Sequence, residues 1–91
     1  MRSAELERWF KVLGNRKRLD ILRLLEQRQQ LSVTDIANGI KLSLKSTHKH
    51  LHQLLQTGFL EKERRQFNVH YRLADELSAL HRYWLKPILK K

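Results

Sequence analysis

No cysteine occurs in the 91 residues, which excludes a disulfide framework, a thiolate metal centre and a cysteine nucleophile. Acids are scarce as well: nine Asp and Glu stand against nineteen Lys and Arg, giving +10 and a pI near 10.6. From Ile36 to Leu60 there is no acid at all. No apolar run approaches the roughly 20 residues that span a bilayer, so no membrane segment is expected, and the opening MRSAELERWF lacks the pattern of a signal peptide. One proline and three scattered glycines leave no linker or low-complexity tract. Paired carboxylates, a phosphate loop and a nucleophile–base constellation are also missing, and Glu61 and Glu63 share one strand face among basic residues. The expectation is one soluble, cytoplasmic, non-enzymatic domain over residues 1–91.

What is present is positive charge, concentrated. Lys41, Lys45, Lys49 and three histidines sit inside the acid-free stretch. A solvated lysine-rich surface would account for the total alone. A basic cluster on a chain of high pI is also the footprint of a nucleic-acid partner, and that reading is preferred.

Periodicity supplies the elements. Leu6, Trp9, Phe10 and Leu13 fall at helical spacing from Ser3 to Leu13, with Gly14 ending the helix and Asn15 capping the next. That second helix, Arg16 to about Gln27, carries Leu19, Ile21, Leu22, Leu24 and Leu25 over more than one stripe, as a central core helix does. A short extended link over Gln29 to Leu31 follows. Ser32 caps a brief third helix that Gly39 stops, and Ser43 caps a fourth running to Thr57, with Gly58 as its left-handed terminator. A short helix, a tight turn and a longer helix have helix-turn-helix spacing. Beyond Gly58 the period becomes two: Phe67, Val69, Tyr71 and Leu73 alternate with polar residues, predicting a strand with one buried face. Its partner is roughly Leu60 to Arg64, with a tip at Arg65, Gln66 and Phe67. A last helix from about Asp75 places Leu77, Leu80, Trp84 and Ile88 on one side, and Pro87 is expected to kink or end it. The predicted fold is mainly α with a small β-hairpin, a winged helix-turn-helix in the order α-α-β-α-α-β-β-α.

The runs VLGNRKRLDILRLLEQ and LSVTDIANGIKLSLKSTHKHLHQLLQTGFLEKERRQFNVHYRL carry a specific likeness. Arg18-Leu19 with Ile21-Leu22, Ser46-Thr47 leading to His50-Leu51, then Leu55, Gly58-Phe59-Leu60 and Tyr71-Arg72-Leu73 occur in order. Over roughly Val12 to Leu73 the chain resembles the ArsR family of bacterial and archaeal winged-helix repressors. That resemblance implies a DNA-binding homodimer that represses transcription. Many members carry a CVC pair for soft metals in the third helix; here Ser32-Val33-Thr34 stands there, and both thiolates are absent. Others bind zinc or nickel between the C-terminal helices through an aspartate and histidines. This chain offers Asp75, Glu76 and a lone His81, with Leu77 where that pattern has its first histidine. No metal site and no cofactor are expected.

On the fourth helix Thr47, Leu51, Leu54 and Leu55 share one face, and Lys45, Lys49, His52 and Gln56 fall opposite. Recognition helices use their N-terminal turns in the major groove, which selects Lys45, Ser46, His48 and Lys49, with His52 at the groove's edge and Lys41 and Ser43 in the turn before. Ser32 and Thr34 open the third helix, where free N–H groups suit a phosphate, although ordinary capping would use them too. Arg16 and Lys17 oppose the dipole at the start of the second helix, a hint of phosphate that nearby Asp20 explains equally. Arg64, Arg65, Gln66 and Asn68 form the basic wing, with Gln66 where family wings often have glycine. Of the close histidines, only His48 and His52 could share a metal, and zinc needs at least three protein ligands; His50 turns to the core flank. Protonated His48 and His52 would strengthen DNA binding at mildly acidic pH. Leu6, Trp9 and Phe10 with Leu80, Trp84 and Ile88 are the expected dimer interface, unless the tryptophans only cover the monomer core. A twofold dimer implies a palindromic double-stranded DNA operator. The competing reading is a winged-helix module for a protein partner or structured RNA.

Overall fold

The computed structural model describes residues 2–75 and 86–89. Helix α1 spans Ser3–Leu13, α2 Arg16–Arg28, α3 Val33–Ile40 and α4 Leu44–Gln56. Strands β1 (Gln30–Ser32), β2 (Leu60–Arg65) and β3 (Asn68–Leu73) form one antiparallel sheet in the order β1-β3-β2. Helix α5 covers Lys86–Leu89. The expected hairpin is therefore widened by the short link before α3, which pairs with β3 through Gln30↔Arg72, Leu31↔Tyr71 and Ser32↔His70.

The core gathers Val12 and Leu13 of α1, Ile21, Leu22 and Leu25 of α2, Ile36 and Ile40 of α3, and Leu51 and Leu54 of α4. Phe59, Leu60, Tyr71 and, from α5, Leu89 close it. Phe59 has no exposed surface, and its ring lies 4.5 Å from that of Trp9 at a tilt of 50°. Pro87 lies within α5 and is exposed; the residues before Lys86, on which a kink or stop at Pro87 would depend, lie outside those described. No helix among the described residues is long and apolar enough to cross a membrane.

Local chemistry explains most boundaries. The side chains of Asn15, Ser32 and Ser43 accept from the N–H groups of Arg18, Asp35 and Ser46, capping α2, α3 and α4. At the end of α4 the N–H of Gly58 donates to Leu55 and that of Phe59 to Leu54, at 3.1 and 3.0 Å. This paired pattern needs a left-handed residue, and Gly58 supplies it with φ of 83°.

Gly39 does not stop α3 as the sequence suggests. The helix continues to Ile40, and Lys41 takes the left-handed cap at φ 56°. Gly39 is instead a crossing point: a Cβ there would stand 2.6 Å from Leu24 Cδ2 of α2. A lysine in the left-handed region carries a steric cost that glycine does not. Lys41→Gly should therefore raise stability by about 0.5–1 kcal/mol, read as a higher denaturation midpoint at unchanged slope. An unchanged or lower midpoint would contradict this account of the turn.

Candidate nucleic-acid interface

Helix α4 separates its two faces as its sequence predicts. Thr47, Leu51 and Leu54 are buried, Leu55 and His50 half-buried, and Lys45, His48, Lys49, His52 and Gln56 exposed. Thr47 lies inside because its hydroxyl donates to the Ser43 carbonyl at 2.8 Å, satisfying a polar side chain that is wholly buried. Ser46 is half-buried, and its N–H is spent on the Ser43 cap while its hydroxyl stays at the helix start. Lys41 and Ser43 are exposed in the turn, so they lead directly into the exposed face of α4.

Leu44 escapes a helical-wheel reading. By spacing it belongs with Leu51 and Leu55, yet it is the first residue of α4 and is 49% exposed beside Lys45. Position in the helix, not period, was the available signal.

The second helix holds α4 in place through a polar latch. Arg18 Nε donates to His50 Nδ1 at 3.3 Å, and the same guanidinium donates to the Val12 carbonyl at 3.3 Å. Lys17 reaches the carbonyl of Ile40 at 3.1 Å, at the negative end of α3. Lys17 is thus accounted for within the fold, and only Arg16 of that pair remains exposed. Burial first, then Arg18 and Lys17, hold the His50 imidazole below its ordinary value of 6.5. The folded chain therefore resists protonating His50 while the unfolded chain does not. Its contribution is present above about pH 6.5 and is lost as pH falls from there toward the depressed folded value. His50→Gln should flatten the stability profile between pH 7.5 and 5 (roughly the histidine range); an unaltered profile would show that His50 is not the group responsible.

On the wing, Arg64↔Val69 and Arg65↔Asn68 are the last pairs, so the turn is Gln66-Phe67. Phe67 is 89% exposed, not on the buried face that alternation predicts. Period two stops at the last ladder pair, and the turn aims Phe67 outward. Lys62 and Arg64 pair with Tyr71 and Val69, on the sheet face turned to the helices. The other face holds Glu61, Glu63 and Arg65 with Asn68, His70 and Arg72. There Arg72 is clamped by Glu61 and Asp75, at 2.8 and 3.2 Å. Arg65 bends back to Gln30 at 3.1 Å and lies 3.7 Å from Glu63. Arg64, Gln66 and Asn68 are exposed. Ser32 is half-buried, paired with β3 and engaged in capping, while Thr34 is exposed one residue into α3. Capping is therefore the role seen for Ser32, and its hydroxyl proton remains able to donate to a phosphate oxygen.

At the N-terminal end Trp9 is half-buried against Phe59, whereas Leu6 and Phe10 are 38% and 56% exposed and line a shallow apolar hollow with Ser3, Glu7 and Lys11. Leu80 and Trp84 lie outside the described residues, as does the side chain of Ile88. Among the described residues no three of His, Asp and Glu are grouped to hold an ion.

A helix-turn-helix followed by a β-hairpin on a three-stranded sheet defines a winged helix-turn-helix domain. Residues 13–63 match the family model described as helix-turn-helix domain. The chain belongs to that family, among its ArsR-type members. It is 33% identical over 70 residues to the arsenical resistance operon repressor of Escherichia coli, covering 77% of this chain and 60% of that protein. It is 35% identical over 63 residues to the cadmium resistance transcriptional regulatory protein CadC of Listeria innocua, covering 69% and 53%. The chain thus spans a little over half the length of these curated relatives. Among solved structures, it resembles the homodimeric winged helix-turn-helix DNA-binding domain of Mb0332 from Mycobacterium bovis, a possible ArsR-family transcriptional regulator. That match has a TM-score of 0.81 and 29% identity, and covers 93% of this chain and 78% of the other.

Proposed function

We propose that the chain is a sequence-specific double-stranded DNA-binding transcriptional regulator, a cytoplasmic homodimer acting as a repressor. The observation that carries this is the exposed, acid-free face of α4. Lys45, His48, Lys49 and His52 stand there, with half-buried Ser46 between them, on the second helix of the helix-turn-helix, the helix that enters the major groove in such domains. Lysine donates to guanine O6 or N7 or to phosphate, serine to either, and Leu44 offers an apolar contact to a thymine methyl. Lys41, Ser43, Ser32 and Thr34 supply donors to the flanking backbone, and Arg64, Gln66 and Asn68 extend the contact through the wing. Arg65 contributes only after releasing Gln30 and Glu63.

A second copy is the occupant proposed for the apolar face of Leu6 and Phe10, with the exposed edge of Trp9 and with Leu80, Trp84 and Ile88. The homodimeric Mycobacterium bovis domain supports that assignment. Repression is supported by the Escherichia coli relative, itself a repressor. Soft-metal sensing at the third helix is not proposed, because Ser32-Val33-Thr34 offers no thiolate.

Selection from a random duplex pool tests the proposal. A palindrome with half-sites about 34–36 Å apart, or multiples of that, is expected. Recovery of no common sequence, or preferential capture of structured RNA, would overturn it.

A further inference from the structure

Phe67 is the most exposed large apolar residue described, at 89%, and no contact among the described residues explains it. Trp9, Phe59 and Tyr71 all pack into or against the core. Phe10 and Leu6 belong to the α1 face, and Leu44 opens α4 within the proposed docking face. Hairpin tips ordinarily carry Gly, Asn or Asp, chosen for the conformations a turn demands. Here the tip is Gln66-Phe67, neither residue adopts positive φ, and the phenylalanine buries nothing in exchange for its place.

The tip also projects. Strand β1 supports β3 only at His70, Tyr71 and Arg72, so the last two pairs of the wing stand beyond the sheet as a bare two-stranded ribbon. Arg64 lies at the base of that ribbon on the side facing the helices, where α4 packs. No acid occurs between Glu63 and Asp75. An isolated aromatic at the end of a narrow, cation-flanked ribbon fits a polyanion better than an apolar protein groove. Proteins that use the minor groove combine such cations with an apolar wedge, which partly unstacks a base step.

We propose that Phe67 is such a wedge: it enters the minor groove beside each half-site, inserts at a deformable step and kinks the duplex there. This rests on the DNA-binding reading above and adds to it a means of selecting sequence that α4 does not touch. Pyrimidine–purine steps unstack most easily, so the wedge favours TA or CA/TG at the positions under the wing.

The test uses duplexes selected by the wild-type chain from a random pool, carrying 2-aminopurine beside the step under the wing. Phe67→Ala should leave thermal stability unchanged, abolish the fluorescence rise on binding, reduce the bend and weaken affinity roughly tenfold, the scale of one aromatic contact with a base. Preference for TA or CA/TG at that step should disappear with it. Phe67→Leu, still an apolar wedge, should keep the bend and the preference. Three results would overturn the wedge: Phe67→Ala binding and bending DNA as the wild type does; a change in self-association with DNA bending intact; or a loss confined to single-stranded or structured RNA. If the wild type selects no duplex and Lys49→Ala changes nothing, the failure lies in the DNA-binding reading itself. If Lys49→Ala weakens binding and Phe67→Ala does not, only the wedge fails.

Discussion

Replacing Lys45 and Lys49 together with alanine is expected to weaken DNA binding and flatten its dependence on salt. Both side chains are exposed on the first turns of α4, and no acid within the helix competes for them. Each phosphate that a lysine neutralises releases counterions and steepens the log–log salt dependence by about 0.9 for B-DNA. If both lysines meet phosphate, the double variant loses about 1.8 from that slope. Its deficit then shrinks about tenfold between roughly 50 and 200 mM salt. If either lysine meets guanine instead, its removal relaxes preference at that base pair by about 1–3 kcal/mol. The two outcomes are separated by titrating selected and scrambled duplexes side by side. A double variant that binds normally at every salt concentration would mean that α4 is not the docking face.

Phe59→Ala should be the most destabilising single change in the described fold. The side chain is wholly buried, packs on Trp9 of α1, and belongs to the core that joins α2, α3 and α4. Its backbone adds to this: the N–H closes the end of α4 on Leu54, and the carbonyl accepts from Ala74 after β3, each at 3.0 Å. Truncating a buried phenylalanine costs about 3–5 kcal/mol. A domain of this size has roughly 5–15 kcal/mol to lose, and the midpoint should drop on the order of 20 °C. The comparison with Phe67→Ala isolates burial, since the residue types are the same and only exposure differs. Measured at one protein concentration, because dimerisation adds to apparent stability, the Phe59 variant should lose most of its cooperative transition at 37 °C. Equal midpoints for the two variants would refute the core assignment.

Much of this was legible from the sequence because its signals act locally. Capping at Asn15, Ser32 and Ser43 needs only a side-chain oxygen two or three residues before the free N–H groups it meets. Gly58 could be read as left-handed because a period of 3.6 gave way to a period of two around it. The face of α4 followed from the rotation per residue alone. What escaped depends on contacts across the chain. Gly39 looks like a terminator until Leu24 is brought against it, and Lys41, an unlikely residue for positive φ, then takes the turn. The short extended link before α3 was legible as such, but three residues carry no sign that it would pair with the free edge of β3. Arg18 carries no sign in sequence that its partner is His50, 32 residues away. Phe67 obeyed the alternation but lay past the last pair that enforces it.

The role of α4 also reframes the histidines. His50 turns inward, where burial and then Arg18 make it harder to protonate, whereas His48 and His52 stand exposed among the lysines. A proton on His50 therefore opposes the fold.

The central claim is sequence-specific recognition of duplex DNA through α4, and it is tested most directly by one titration. The dissociation constant for a pool-selected duplex is compared with that for a scrambled duplex of equal length at low and at near-physiological salt. The selected duplex should bind at least about a thousandfold more tightly, with the preference persisting as salt weakens both. Equal, weak binding to the two, vanishing together as salt rises, would reduce the positive face of α4 to a solvated surface and contradict the account.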